Sequence, residues 1–304
     1  MNYIIHHDDL DGISSAAIYY LCADLGEMEF IKIDHGDEFD TKKFKEGDTI
    51  AILDFSFKPE IMLELQEIVG EDKMVWIDHH KSAIDDANKA GLEIRGLQEK
   101  TEGDCKKSGA WLVWEYFNDP EEVEVPAFVE MVSAFDVWDK DSDYYMNGLY
   151  LNCLFRTFDE TQTDPTFTLY EKLIEDNDND LWIDILEKGE TVFNFIKATS
   201  KEIVEKNSQI VEWEGMKCLV GNCSGNGSLS FLAAMDIDGK ATEEQYEDIE
   251  ALITFIWAKD KWTCGMYHGP KGKEKNLDLS LIAKKHDGGG HPGACGFKLK
   301  ELPW

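Results

Sequence analysis

Three apolar runs in the first half of the chain each end in acid or imidazole. The run at 3–5 leads into His6-His7-Asp8-Asp9-Leu10-Asp11-Gly12, the run at 50–53 into Asp54, and Met74-Val75-Trp76-Ile77 into Asp78-His79-His80. Short apolar runs bounded in this way read as buried strands, and open α/β sheets hold their ligands at the carboxyl ends of strands. A chain folded so gathers four or more carboxylates, with imidazoles, at one rim. That group repels itself unless cations neutralise it. The pattern therefore predicts a two-metal site.

Strand and helix signals alternate through the same region. Residues 3–5, 29–33, 49–53 and 74–77 read as strands, with 92–94 a further candidate. Residues 14–25, 59–69 and 108–117 read as helices, the second with Pro59 at its start and Gly70 after its end, the third capped by Ser108. This alternation predicts a parallel sheet with helices on both faces. Residues 120–210 lose strand character. A helix is expected at 126–137, ending near Asp136, Asp139, Asp141 and Asp143, then an acidic loop at 176–180 and one or two helices over 181–211. Strands return at 216–221, 252–257 and 262–267, with helices near 228–235 and 280–285 and a glycine-rich segment at 288–297. At 304 residues, two cores are expected. The fold class is α/β: a parallel-sheet N-terminal domain at 1–160, a helical linker at 161–212, and a smaller α/β C-terminal domain at 213–304.

The formal charge of −32 weighs against a long, sequence-independent grip on duplex nucleic acid, where neutralised phosphates supply the affinity. A small anionic substrate held through cations is compatible with it. No stretch approaches the roughly 18 apolar residues of a membrane span, and the chain opens without a basic leader. The expectation is a soluble, cytoplasmic protein without a membrane partner, and a homodimer is compatible with it. Seven cysteines at irregular spacing form no CxxC pair and read as reduced, small buried hydrophobes.

The segments HHDDLDG (6–12), the isolated Asp54, DHH (78–80), FDVWD (135–139) and GGGHPGACGF (288–297) occur in this order. Together they resemble the DHH phosphoesterase superfamily with a C-terminal DHHA1 substrate-binding domain, and they span nearly the whole chain. The resemblance implies hydrolysis of phosphoester or phosphoanhydride bonds with two Mn²⁺ or Mg²⁺ ions. The opening MNYIIHHDDLDG is most similar to the nanoRNase type, which degrades short oligoribonucleotides.

Carried over motif by motif, the resemblance assigns His7, Asp9 and Asp54 to one metal. It assigns Asp11, Asp54, His79 and Asp136 to the other, with Asp54 bridging. A shared carboxylate can set two cations about 3.5–4 Å apart around an activated water, and mixed His and carboxylate ligation places Mn²⁺ ahead of Mg²⁺. Asp78 is expected to orient a His ring, and His80 to contact the scissile phosphate. The HxDxDG spacing favours His7 over His6 as ligand; the other His faces solvent or braces the strand end.

For the C-terminal segment, Gly288, Gly289 and Gly290 are expected to let backbone N–H groups approach an anion, and His291 to bind a terminal phosphate or nucleotide. A tight turn feeding the last strand is the plainer reading of those glycines. Arg156, one of only two arginines, suits bidentate contact with a phosphate. His35 and Asp37 either line the site or belong to a solvated loop, and Asn226-Gly227-Ser228 either caps a helix or offers an anion site. Trp257, Trp262 and Tyr267 suit base stacking or core packing.

The function expected is a metal-dependent phosphodiesterase that hydrolyses short oligonucleotides, or related dinucleotides, to nucleoside monophosphates. Dephosphorylation of 3′-phosphoadenosine 5′-phosphate and cleavage of cyclic or linear dinucleotides stay open as alternatives. A non-catalytic nucleotide-binding or interaction module is the alternative of another class; it would have lost metal ligands, and no candidate position is missing.

Overall fold

Successive residues of the first strands are apolar, and both of their faces are buried. The computed structural model describes residues 1–34, 37–99, 106–175, 179–223 and 227–304, in two units, Met1–Thr191 and Val192–Trp304. In the first unit β1 (Asn2–His7), α1 (Leu10–Cys22), β2 (Met28–Ile33), β3 (Thr49–Leu53), α2 (Pro59–Val69), β4 (Met74–Ile77) and α3 (Lys81–Ala90) follow in order. The four strands are parallel, in the order β2-β1-β3-β4. Their carboxyl ends therefore share one rim.

The alternation of side chains along each strand divides the core in two. Ile4, Ala51, Leu53, Val75 and Ile77 point to one side, where they pack with α1, α4 (Gly109–Phe117) and α5 (Ala127–Asp136). Tyr3, Ile5, Ile50, Ile52, Met74 and Trp76 point to the other, against Met62, Leu65 and Val69 of α2 and Ile84 and Ala87 of α3. α6 (Tyr145–Phe155), α7 (Thr168–Glu175) and the start of α8 (Asn179–Lys206) extend the first of these cores through Leu151, Leu154, Tyr170, Leu173 and Ile185.

Several local expectations are corrected. α1 starts at Leu10 and not at residue 14, because the Asp9 side chain caps it by accepting from the Gly12 N–H. The strand expected at 92–94 is displaced: isolated parallel bridges join Val75 to Arg95 and Asp78 to Gln98, with Gly96 at φ +146° interrupting the extended run between them. Near 228–235 only a short 3₁₀ turn, Gly227–Phe231, forms. α3, α6 and the short helix at Pro270–Glu274 were not anticipated, and the helical stretch expected to run to residues 211–212 ends at Lys206, with the strand Ser208–Trp213 following it. α6 carries apolar residues on nearly all sides, which masks helical periodicity. Ser108 caps α4 as expected, accepting from the Trp111 N–H.

The second unit holds the sheet β5-β6-β7-β8-β10-β9, made of β5 (Ser208–Trp213), β6 (Met216–Asn222), β7 (Ala251–Ala258), β8 (Lys261–His268), β9 (Gly289–His291) and β10 (Ala294–Leu299). Only β6 and β7 pair in parallel; the other pairs are antiparallel. One face packs Cys218, Val220, Ile253, Met266 and Phe297 with Leu279 and Ala283 around α10 (Ser280–Lys285), which follows the short α9 (Pro270–Glu274). The other packs Leu219 and Leu252 against Val204, Phe231 and Ile249.

Cys153, Cys218, Cys264 and Cys295 are buried, and burial pushes the last three thiols up to about 12. Cys22 and Cys223 are only half-buried, against the expectation of full burial. Cys105, His35, Asn226 and residues 176–178 lie outside the described residues. Among the described residues no helix is long and apolar enough to cross a membrane.

α2 offers a direct test of this packing, since Leu65 is 0% exposed and Leu63 is 40% exposed. Leu65→Ala is expected to destabilise the protein by about 2–5 kcal/mol, and Leu63→Ala by about 0.5 kcal/mol or less. Chemical denaturation of both variants checks the difference.

Candidate metal centre

The parallel pairing brings the four strand ends to one place, and the residues that follow them meet there. His7 ends β1. Its Nδ1 lies 2.8 Å from Asp9 Oδ2 and 4.0 Å from Asp54 Oδ2, and its Nε2 lies 3.4 Å from Asp34 Oδ1. His6 points the other way, into the sheet's buried face, with Nδ1 2.8 Å from the His7 carbonyl oxygen. Burial lowers His6 to about 4, so it stays neutral at pH 7. The structure thus places His7, and not His6, beside Asp9 and Asp54.

Asp54 follows β3 in a left-handed backbone conformation, φ +53°. Its N–H still donates to the Ile77 carbonyl at 2.8 Å, so the turn aims the carboxylate across the strand ends while the backbone stays in the ladder. Asp54 Oδ1 is 3.2 Å from His79 Nε2, and Oδ2 is the oxygen that faces His7. His79 Nε2 also stands 3.4 Å from Asp136 Oδ2 and 3.7 Å from Asp11 Oδ2. His7/Asp9/Asp54 and Asp11/His79/Asp136 each offer ligand atoms within 4.8 Å of one another, as do Asp54, Asp78 and His80. Asp54 touches both of the first two groups.

Asp78 is fully buried and binds its own neighbours. Oδ1 accepts from the His79 N–H at 2.8 Å, the His80 N–H at 3.1 Å and His80 Nδ1 at 2.7 Å, while Ser56 Oγ donates to Oδ2 at 2.5 Å. The ring it orients is therefore that of His80. Although burial alone would raise it, the contacts with His80 and His79 hold Asp78 well below the usual carboxylate range.

Asp11 is organised from a distant part of the chain. Its Oδ2 accepts from the Gly109 N–H at 2.7 Å and its Oδ1 from the Ala110 N–H at 2.8 Å, both at the amino end of α4. Anions are favoured there by the orphan N–H groups and the helix dipole. Gly109 allows the approach: a Cβ at that position would lie 2.5 Å from Asp54 Cβ and 2.9 Å from Asp54 Oδ1.

The electrostatics fit cations. Burial, and then the charges of Asp11, Asp9, Asp136 and Asp78, push Asp54 well above the usual carboxylate range. Burial, Asp11 and Asp9 do the same to Asp136. No hydrogen bond among the described residues reaches Asp54 Oδ1 or Asp136 Oδ2. Burial works against the charge on His7, yet Asp9 and Asp34 push it up to about 11. Protons are thus favoured where neutralising charge is needed, and a buried set of oxygens and imidazole nitrogens of this kind can take divalent cations in their place. His7, Asp9 and Asp54 would hold one, and Asp11, Asp54, His79 and Asp136 the other.

A cavity of about 160 Å³ adjoins this group, lined by Asp9, Leu10, Asp11, Val132, Phe135, Asp136, Asn152 and Arg156. Arg156 is the only cationic side chain in that lining, and its Nε donates to Asn152 Oδ1 at 2.8 Å. In the second unit, Gly288 and Gly290 are demanded by the β9–β10 hairpin itself: a Cβ would meet the Gly296 oxygen at 2.1 Å or the Ala294 oxygen at 2.7 Å. Gly289 has open space around its Cβ position, and His291 closes β9, half-buried.

Sequence reasoning missed Asp34, Ser56 and Asn152. Asp34 follows β2 as Asp54 follows β3, so the same strand-then-acid signal could have found it. Nothing local marks Ser56 or Asn152.

No family model matches the chain. It is 21% identical over 296 residues to an uncharacterized protein of Acanthamoeba polyphaga mimivirus, covering 95% of this chain; the chain spans 61% of that relative's length. Among solved structures it is similar to the DHH domain of a member of a family of ribosomal proteins, with 15% identity, a TM-score of 0.54, and coverage of 98% of this chain and 82% of that one. It is also similar to an exopolyphosphatase-related protein of Bacteroides fragilis, with 14% identity, a TM-score of 0.50, and coverage of 99% and 87%.

Two outcomes are expected from this geometry. Since divalent cations compete with protons at His7, Asp54 and Asp136, where the site favours the protonated form, Mn²⁺ binding should release protons, and its affinity should rise with pH. Calorimetry in two buffers of different ionisation enthalpy reads the exchange, and proton uptake would contradict the assignment. Gly109→Ala should weaken Mn²⁺ binding by about 10–100-fold, as loss of a group that positions ligands typically does, with direct titration of the metal as the readout.

Proposed function

We propose that this chain, whose fold is that of the DHH-domain proteins, is a metal-dependent phosphoesterase that hydrolyses short oligonucleotides to nucleoside monophosphates with two divalent cations, Mn²⁺ foremost. The observation that carries the reading is Asp54: a buried carboxylate with one oxygen toward His7 and the other toward His79, shared between two ligand groups. When bound, the cation pair supplies Lewis acidity and a nucleophile usable at neutral pH.

The chain's own residues do the rest. Asp9, Asp11, Asp54 and Asp136 fix the positions of positive charge and so draw a phosphate to a protein whose net charge of −32 would otherwise repel it. His80, whose Nδ1 is engaged by Asp78 at 2.7 Å, has its ring set by that bond. Its Nε2 is the nitrogen assigned to a phosphoryl or leaving oxygen. Ser56 holds Asp78 in turn. Arg156, kept by Asn152 at the cavity wall, is assigned to a phosphate oxygen. In the second unit the open backbone at Gly289 and the His291 side chain are assigned to the substrate's terminal phosphate or nucleotide. The domain scheme in which the N-terminal part is catalytic and the C-terminal part binds substrate belongs to this proposal.

Mn²⁺-loaded protein is to be offered 5′-labelled di- to decanucleotides, a cyclic dinucleotide, 3′-phosphoadenosine 5′-phosphate and pyrophosphate. Fastest release of monophosphates from the shortest oligonucleotides is the expected result, and exclusive attack on another member of the panel would reassign the substrate. Asp54→Asn should abolish turnover. His80→Ala should lower kcat by about 10²–10⁴-fold, the size of a general acid or base contribution, with Mn²⁺ affinity preserved.

A further inference from the structure

Immediately after α5, which carries Asp136, the chain makes a turn that ordinarily uses glycine. The Trp138 N–H donates to the Phe135 carbonyl at 3.2 Å and the Asp139 N–H to the Ala134 carbonyl at 2.9 Å. This is the hydrogen-bond pattern of a helix end closed by a left-handed residue. That residue is Trp138, at φ +58°. A large side chain in this conformation carries a backbone cost, and burial does not offset it, because Trp138 remains 42% exposed.

The surroundings of the ring give that cost a purpose. Trp138 stacks on Phe135, with centroids 6.4 Å apart and planes at 26°, and Phe135 lines the cavity beside Asp9, Asp11 and Asp136. The exposed indole is therefore one ring removed from the cavity wall and two residues along the chain from Asp136. Lys140 Nζ lies over the Trp138 ring, 5.3 Å from its centroid, and over that of Tyr145 at 5.8 Å, so the indole already holds a cation against its π-system.

We propose that Trp138 is the platform of a nucleobase subsite. The base of the nucleotide whose phosphate is held at the Asp11/His79/Asp136 group stacks on the exposed part of the indole, taking the place of the Lys140 ammonium over the ring. A flat aromatic ring accepts any base by its π-face, so the subsite selects nucleotides over base-free phosphates without selecting among bases. The inference rests on the phosphoesterase reading for the position of the phosphate, and extends it to what lies on that phosphate's organic side.

The test compares binding of AMP and of ribose 5-phosphate to the Mn²⁺-loaded full chain by calorimetry, in the parent, Trp138→Ala and Trp138→Phe. The parent should prefer AMP by about tenfold or more, the range of base–aromatic stacking. Trp138→Ala should erase the preference while ribose 5-phosphate binds as before, and Trp138→Phe should keep most of it. A preference that survives in Trp138→Ala overturns the proposal, as does a parent with no preference or an equal loss for both ligands. Turnover is measured separately on a dinucleotide. A base preference that depends on Trp138 in a protein that cleaves no oligonucleotide would sink the proposed hydrolysis and leave the subsite standing, and cleavage with a preference indifferent to Trp138 would do the reverse.

Discussion

Five carboxylates, those of Asp9, Asp11, Asp54, Asp78 and Asp136, converge on the carboxyl rim of one parallel sheet, and the repulsion among them is the constraint that the rest of the first unit is built around. Two like charges about 4 Å apart repel by roughly 4 kcal/mol at an effective dielectric constant near 20, so such a cluster does not persist fully ionised on its own. Asp54 and Asp136 are both pushed up, by burial first and then by the neighbouring carboxylates, and Asp54 is set in a left-handed turn that fixes where its oxygens point. The arrangement is coherent only if positive charge occupies the centre.

The carboxylates are not equivalent, and their separate hydrogen bonds give each a separate duty. Asp78 accepts from the His79 and His80 N–H groups, the His80 ring and Ser56, contacts that set the orientation of the His80 ring. Asp11 is held through both oxygens by the first N–H groups of α4, so a helix that starts almost a hundred residues later along the chain sets its angle. Asp54 and Asp136 keep oxygens that no hydrogen bond reaches among the described residues, and these are the ones aimed at the shared space. Anchoring some acids while exposing others to the centre is what lets one rim supply both a scaffold and ligands.

Much of this was legible in the sequence because strands announce themselves locally. β3 and β4 and their terminal Asp54 and Asp78 follow from apolar runs ended by acid, and the Pro59 start and Ser108 cap mark α2 and α4 by the chemistry of helix ends. The HxDxDG spacing pointed to His7 over His6, and the pleat gives the reason: adjacent residues of β1 point to opposite faces, and only one of those faces the rim. α6 escaped notice because a helix apolar on all sides shows no periodicity, and with it Asn152 beside Arg156 went unseen. The start of α1 was misplaced because Asp9, read as a ligand, also caps the helix.

By itself the sequence determined the kind of chemistry: acids and imidazoles placed at the ends of buried strands, a set that can hold cations. Which of them face each other was decided by the tertiary structure. Strand order and parallel pairing are long-range properties, and only they bring residues 7, 54, 79 and 136 within a few ångströms. The same holds for Gly109, whose missing side chain matters because Asp54 lies against it, and for Trp138, whose exposure and left-handed backbone cannot be read from its neighbours in the chain. Local propensity selects elements, whereas the distances between side chains remote in sequence arise from how those elements pack.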